Sequence, residues 1–220
     1  MSTILLVSTT TLEKFRRFMA GTSQWDTEEA LLAAIKGEFK GTEKTAIGQA
    51  FHRIIEKYNQ PTVEKNLVDS VSGITFTKDQ AAVANEYRLL YPAAREVPSS
   101  KVYEARHLKF KVNCRADALE GLRIRDIKVA FKPPYYVDYL NSFQWRIYCD
   151  IYQAESFAYD IFEVKGFKGL VNNRFDGSIE FHPPYEMLPY DGMQAEIDDL
   201  IRFFGDFIEV KQIQNLFKTA

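Results

Sequence analysis

The sequence predicts an α/β fold of the mixed α+β kind, with a central mixed β-sheet flanked by helices. Three observations predict it: helical spacing dominates the first hundred or so residues, period-two alternation follows, and helical spacing then returns between further strands. With 220 residues, 46% of them hydrophobic, the chain can bury a sizeable core. We expect a single domain, with a helical N-terminal part at about 1–100, a sheet core at about 101–185 and a C-terminal helix at about 190–212.

The helices are predicted from apolar residues that recur at helical spacing. The first follows the N-cap candidates between Ser8 and Thr11, because Leu12, Phe15 and Phe18 then lie on one face. The others are expected at residues 30–35, 46–58, 75–91, 139–157 and 193–208. Strands are expected at 102–112, 115–119, 122–131, 158–164 and near 178–181, with a tight turn at Gly121.

Composition excludes several classes of protein. The longest apolar run near the N-terminus, residues 4–7, is too short to span a bilayer and has no signal-peptide features, so we expect no membrane partner and a cytoplasmic location. Cys114 and Cys149 have no close-spaced partner, which favours two buried free thiols over a disulfide or an iron–sulfur site.

Charge is distributed unevenly along the chain. The formal net charge of −2 gives no support for a general nucleic-acid binder. Between Lys101 and Lys132, however, nine Lys or Arg stand against four acids, a local balance of +5. A basic groove on an otherwise acidic protein and a solvated charged face are both consistent with this pattern.

The residues that carry chemistry lie around the predicted turn at Gly121. Asp117 precedes it, and Asp126 and Lys128 follow on the next strand, where residues two apart point to the same face. Carboxylates are the natural ligands of the hard divalent cations that assist phosphodiester hydrolysis, and a lysine can orient water or neutralise developing charge. Alone, such a pattern also occurs on ordinary exposed strands.

Two helical motifs accompany that pattern. His52 follows Gly48 by one helical turn, and Gln144 and Tyr148 lie four residues apart on one predicted helical face. In this order, the motifs resemble the RecB-like branch of the PD-(D/E)xK nuclease superfamily. Its members open with a Ser/Thr-rich turn into a helix, then carry a Gly-x-x-x-His helix, an isolated Asp, a D/E-x-K strand and a Q-x-x-x-Y helix. The resemblance spans about two-thirds of the chain.

The resemblance implies a restriction-endonuclease-like core. It also implies a metal-dependent DNA nuclease, with an exodeoxyribonuclease as the first expectation, that acts in DNA processing or recombination. It implies Mg²⁺ or Mn²⁺ held by His52, Asp117, Asp126 and the Ile127 carbonyl. Lys128 would be the catalytic lysine, while Gln144 and Tyr148 would support the site and contact DNA. Glu104 is either a supporting acid or an exposed strand glutamate. DNA is the implied partner, and a homo-oligomer or a recombination-protein partner is compatible with the resemblance.

The sequence also departs from the family pattern. Val129 stands where threonine often follows the lysine, residues 59–104 match no family element, and the four-cysteine cluster of some relatives is absent. Two alternatives stay open: a catalytically silent nuclease-fold module that binds nucleic acid or protein, and an ordinary α/β interaction protein. The rings of Tyr135, Tyr136, Tyr139 and Trp145 would either stack on unpaired bases or fill the core. We expect these four aromatic rings to lie mostly in the core.

Overall fold

A mixed β-sheet forms the centre of the protein in a computed structural model, which describes residues 3–21, 23–38, 41–57 and 63–220. In chain order the elements are β1 (Ile4–Ser8), α1 (Thr9–Ala20), α2 (Glu28–Ile35), α3 (Glu43–Lys57), β2 (Leu67–Val68), β3 (Thr75–Phe76), α4 (Lys78–Leu90), β4 (Ala94–Ala105), β5 (Leu108–Glu120), β6 (Arg123–Ala130), α5 (Tyr136–Leu140), α6 (Phe143–Tyr152), β7 (Ser156–Lys165), β8 (Leu170–Val171), β9 (Arg174–Phe175), β10 (Ser178–Phe181), β11 (Tyr185–Met187) and α7 (Met193–Lys211). A turn of 3₁₀-helix, Gln214–Leu216, follows.

The main sheet has the order β1-β5-β6-β7-β10, with β4 added beside β5 and β11 beside β7. Strands β1 and β5 are parallel, as are β6 and β7, whereas β4–β5, β5–β6, β7–β10 and β7–β11 are antiparallel. Helices α5 and α6 connect the parallel strands β6 and β7. The predicted mixed α/β class, with a central mixed sheet flanked by helices, is therefore confirmed. Strands β2, β3, β8 and β9 form a separate small sheet.

The two faces of the sheet bury different helices. Along β7, Tyr159 and Ile161 pack into a core with α1, α6 and α7, while Phe162 and Val164 alternate with them into a second core with α3 and α4. Strand β7 is buried on both faces, and apolar residues therefore occupy six of its ten positions. The hydrophobic effect of both cores thus fixes α6 and α3 on opposite sides of β6.

Local sequence signals explain where the helices begin. Ser8 accepts a hydrogen bond from the Thr11 backbone and caps α1, as predicted. Thr77 and Gln80 form a reciprocal capping box at the start of α4, and Ser142 caps α6. Helix α3 covers most of the predicted 46–58 segment, but residue 58 lies outside the described part of the chain.

Several predicted boundaries are wrong. The predicted strand 102–112 is interrupted at Arg106, whose left-handed φ of 50° turns the chain between β4 and β5. The predicted helix 139–157 is two helices, and the second ends where Gln153 adopts a left-handed conformation. The helix predicted from residue 75 begins at Lys78, because Thr75–Phe76 forms β3.

The sequence predicts a helical N-terminal part at about 1–100, but this part also contains strands. Strands β1, β2, β3 and the start of β4 lie within them. Strand β1 pairs with Lys109–Asn113 of β5, and β6 pairs with Ala118–Glu120 of the same strand. Strand β4 pairs with one edge of β5 along both of these segments. Strands β1 and β6 therefore both pair with the opposite edge of β5. Asp117 lies in the interval between them, where no described strand pairs with that edge.

Candidate active site

The strands β5 and β6 diverge at Asp117. Their ladder runs from the predicted tight turn at Gly121, whose φ is positive (60°), as far as the pair Ala118–Arg125. One step further, the ladder is replaced by a side-chain contact: the Ile127 backbone N–H donates to Asp117 Oδ2 at 2.7 Å. The Asp117 carboxylate therefore occupies the opening between the two strands.

Asp126, Lys128 and Gln144 form a closed set of contacts beside that opening. Gln144 Nε2 donates to Asp126 Oδ1 at 2.7 Å, and Lys128 Nζ lies 2.7 Å from Asp126 Oδ2. Lys128 Nζ also donates to Gln144 Oε1 at 3.1 Å. Asp126 and Lys128 share a face of β6, as their spacing predicts, and α6 brings Gln144 over that face.

His52 approaches from the opposite side of the sheet. Helix α3 passes close to β6 at Gly48, where an added Cβ would lie 3.7 Å from Val129 Cβ. One turn later, His52 Nδ1 lies 3.7 Å from Asp117 Oδ2. Burial lowers the pKa of His52 to about 4, despite the opposing influence of Asp126 and of a hydrogen bond to the Ile127 backbone. The imidazole is therefore neutral near pH 7, which is its metal-binding form.

The ionisation of Asp117 depends on its burial and on the charged groups beside it. Burial and the neighbouring Asp126 raise the pKa of Asp117 to about 8, while Lys128 acts in the opposite direction. Burial lowers the pKa of Lys128, but Asp126 and Asp117 together outweigh this effect and raise the pKa. A bound cation would relieve the repulsion between the carboxylates.

The donor set suits a hard divalent cation. Two carboxylates, a neutral imidazole and a nearby carbonyl match Mg²⁺ or Mn²⁺. Asp126 is only 4% exposed, and apart from its contact with Lys128 its Oδ2 has no hydrogen-bond partner among the described residues. In this arrangement the donor atoms of His52, Asp117 and Asp126 do not all lie within 4.8 Å of one another. Lys128 and Gln144 hold the Asp126 oxygens instead.

Among the described residues, one group of potential metal ligands has its donor atoms within 4.8 Å of one another. This group is Glu163, Glu180 and His182. Glu163 and Glu180 are directly opposite on β7 and β10. The Lys165 ammonium group contacts both carboxylates and so already offsets part of their charge. Sequence reasoning had not identified this group, because the pairing of β7 with β10 brings it together.

Tyr148 lies one turn beyond Gln144 on α6, but it is buried. Its hydroxyl donates to the Arg115 carbonyl at 3.0 Å, two residues before Asp117. In this position it fixes the backbone of β5 and has little surface to offer DNA. Gln144 and Tyr148 thus both support the site, the first through a carboxylate and the second through the adjacent strand.

Other predicted residues lie further from the carboxylates. Glu104 is an exposed glutamate on β4, 69% accessible and paired with Lys109, so it does not support the site.

Trp145 is buried, as expected, and Tyr139 packs against Tyr159 at 4.9 Å between ring centroids. Tyr135 and Tyr136 are exposed instead of filling the core. Cys114 and Cys149 are buried and free, as predicted.

Two clefts flank the candidate site. One, of about 460 Å³, is lined by Lys128, Gln144 and Tyr159 together with Arg16 and Arg17 of α1. The other, of about 540 Å³, is lined by His52 and Asp117 together with Glu56, Glu96 and Arg115. The site is therefore accessible from both sides of the opening between β5 and β6.

Glu96 is an acid beside Asp117 that the sequence analysis does not predict. Because Arg95 pairs with Ala118 and Val97 with Ala116, Glu96 lies opposite Asp117. Its φ of 53° is unusual for a residue other than glycine. Recognising the turn at Arg106 would have found it, since that turn sets the register of β4 on β5.

Comparisons with known proteins add little to this geometry. No protein-family model matches the chain, and no curated protein matches it. A solved structure titled "Crystal structure of SSO0001" is similar at 16% identity and a TM-score of 0.49, covering 89% of this chain and 73% of that chain. That likeness carries no conclusion about function. Within the described part of the chain, no helix is long and apolar enough to cross a membrane.

Proposed function

We propose that the protein is a metal-dependent DNA nuclease of the RecB-like kind, built on a restriction-endonuclease-like core. The observation that carries this proposal is the convergence of His52, Asp117, Asp126, Lys128 and Gln144 where β5 and β6 diverge, between two open clefts. We propose an exodeoxyribonuclease acting in DNA processing or recombination in the cytoplasm, with Mg²⁺ or Mn²⁺.

The cation would be held by Asp117, Asp126 and His52, with the Ile127 carbonyl nearby. When bound, it would polarise the phosphoryl oxygen and make water a better nucleophile. Asp126 would have to exchange its contact with Lys128 for one with the cation. This exchange would turn the Lys128 ammonium group toward the cleft, where it can stabilise the negative charge that develops on the phosphate.

Gln144 is the positioning residue of this arrangement. Its amide N–H holds Asp126 while its carbonyl accepts from Lys128, so the two side chains are oriented by one group. Helix α6 fixes Gln144 in turn, because the adjacent Trp145 is buried and its indole N–H donates to the Leu140 carbonyl. This preorientation reduces the rearrangement needed when substrate binds.

The test is cleavage of end-labelled linear DNA and of circular DNA with Mg²⁺, Mn²⁺ or EDTA. We expect metal-dependent loss of linear DNA, circles left intact, and no cleavage by Asp126→Ala. Nicked circles would make the enzyme an endonuclease. The absence of cleavage of either DNA with either metal would reject the nuclease proposal.

A second candidate function is a catalytically silent module with a nuclease fold. The observation that favours it is that Lys128 contacts Asp126, while the donor atoms of His52, Asp117 and Asp126 do not all lie within 4.8 Å of one another. In such a module, added Mn²⁺ would leave the thermal stability unchanged. A metal-dependent rise in melting temperature that is lost in Asp117→Asn would exclude it.

A further inference from the structure

An exposed strip of β5 leads directly to Asp117. Phe110, Val112 and Cys114 of this strand are buried in the core that contains α1, α6 and α7. The alternate residues Lys111, Asn113 and Arg115 therefore point to the opposite face of the sheet.

That face is open to solvent beside β5. Asn113 and Arg115 are exposed, and Val102, the β4 residue paired with Lys111, is 45% exposed. The helices of that side, α3 and α4, pack instead against β6 and β7, through residues such as Ile127 and Phe162. The strip is thus a solvent-facing sheet surface continuous with the cleft that contains Asp117.

The strip is positively charged on a protein that is acidic overall. Among the described residues, no ion pair involves Lys111, whereas its neighbour Lys109 is paired with Glu104. Side chains two apart on a strand are roughly 6.7 Å apart, so Lys111, Arg115 and Asp117 follow one line about 20 Å long. Lys111 and Arg115 are both cationic and lie on a line that ends at the carboxylate site. This arrangement is complementary to the negative charges of a phosphate backbone.

Arg115 is held in a defined orientation. Glu96 pairs with its Nε at 2.6 Å, while its side chain remains 68% exposed. Because the contact uses Nε, the guanidinium can still offer its terminal nitrogens to a phosphate.

The backbone of Glu96 is also strained, with a φ of 53°. A left-handed conformation at a residue other than glycine costs on the order of 1–3 kcal/mol and persists only where the surroundings enforce it. Here the Tyr152 hydroxyl stands between β4 and β5, accepting from the Ala116 N–H and donating to the Val97 carbonyl. The inserted hydroxyl separates the two strands beside Glu96 and so maintains the local distortion.

We propose that the open face formed by Lys111, Asn113 and Arg115 is the path along which the phosphate backbone of one nucleic-acid strand reaches the Asp117 site, with Glu96 positioning Arg115. This inference rests on the proposed function and adds the direction from which the substrate enters. It assigns binding roles to residues that lie outside the nuclease motifs.

The first test measures the salt dependence of binding to a single-stranded oligodeoxynucleotide in EDTA, by fluorescence anisotropy, in a Lys128→Ala background. We expect the added pair Lys111→Ala and Arg115→Ala to reduce the slope of log affinity against log salt by about 1.4, about 0.7 for each lost phosphate contact. Arg202→Ala on α7, which faces the other side of the sheet, is the matched control and should leave the slope unchanged. An unchanged slope in the Lys111 and Arg115 variant would overturn the proposal.

The second test separates positioning from overall charge. Glu96→Ala and Glu104→Ala each remove one negative charge from β4, which on electrostatic grounds alone should tighten DNA binding. If Glu96 positions Arg115, Glu96→Ala should instead weaken binding roughly two- to tenfold, the cost of ordering one free side chain. Circular dichroism checks that both variants fold. Equal tightening by both would refute the positioning role.

Wild-type cleavage measured in parallel distinguishes the two proposals. If the protein cuts DNA but the slope is unchanged in the Lys111 and Arg115 variant, the path is refuted and the nuclease proposal stands. If the protein cuts nothing but the slope falls, the path is supported and the nuclease proposal is rejected.

Discussion

Replacing Asp69 with asparagine should destabilise the protein by about 3 kcal/mol. The Asp69 side chain is 2% exposed and accepts bonds from Arg53 Nε and Nη2, both at 2.8 Å, and from the Ser72 N–H and hydroxyl at 2.8 and 2.6 Å. The best asparagine orientation keeps the three bonds at Oδ2 and turns its amide N–H toward Arg53 Nε. One charge-assisted bond at about 1.5–3 kcal/mol is lost, and the remaining ones weaken. Breaking a fully buried pair would cost about 3–5 kcal/mol, and partial exposure of Arg53 keeps the effect at the lower end.

The assay is urea unfolding followed by circular dichroism at several pH values. For a protein of this size, about 3 kcal/mol corresponds to a fall in melting temperature of about 6–12 °C. Hydrogen bonds from Arg53 and then Ser72 lower the pKa of Asp69. Its stabilising contribution is therefore complete above the unfolded-state pKa of about 4 and is lost as pH falls below it.

The difference in unfolding free energy between wild type and Asp69→Asn should accordingly narrow below about pH 4. Asp199→Asn is the control, because the Asp199–Arg202 pair is exposed on α7 and should contribute less than about 1 kcal/mol. A destabilisation by Asp69→Asn that is no larger than that of the control, or that does not change with pH, would refute the reasoning.

Three further changes test other parts of the structure. Gln144→Ala should lower the rate of DNA cleavage much more than it weakens DNA binding, since Gln144 orients Asp126; steady-state kinetics would show this, and an unchanged kcat would contradict it. Tyr152→Phe should cost about 1–3 kcal/mol of unfolding free energy, because it leaves two backbone groups between β4 and β5 without a partner; unchanged urea unfolding would count against the inserted hydroxyl. Gly205→Ala should cost about 1–3 kcal/mol, because the added Cβ would lie 2.9 Å from Ala105 Cβ; a rise in melting temperature would show that β4 can yield there.

The fold class was predictable because burial imposes a period on each element. Strand β6 intersperses apolar and charged residues, and α7 repeats its apolar residues at helical spacing, so the sequence predicts both elements to within a few residues of their ends. The predicted ends of elements are wrong where the apolar pattern continues across a turn between two elements. Arg106 turns the chain with no glycine or asparagine to signal it, and apolar spacing continues from α5 across Ser142 into α6.

The candidate site was predictable only in part, for a physical reason. Asp126 and Lys128 are two apart on one strand, so local geometry brings them together, and Gly121 fixes the hairpin that carries Asp117. The role of Glu96 depends on how β4 is registered on β5, which is set by the turn at Arg106, ten residues further along the chain. The Asp69–Arg53 pair depends in the same way on how α3 meets the small sheet.

The measurement that tests the central claim most directly is the rate of phosphodiester cleavage by wild type and Asp117→Asn, compared at equal Mn²⁺ and on the same linear DNA. Asp117→Asn keeps the shape of the side chain and can still accept from the Ile127 N–H, so the fold should be retained, as circular dichroism would show. The account predicts metal-dependent cleavage by wild type and its loss in Asp117→Asn with DNA binding preserved. Equal cleavage by both proteins, or none by wild type with either Mg²⁺ or Mn²⁺, would contradict it.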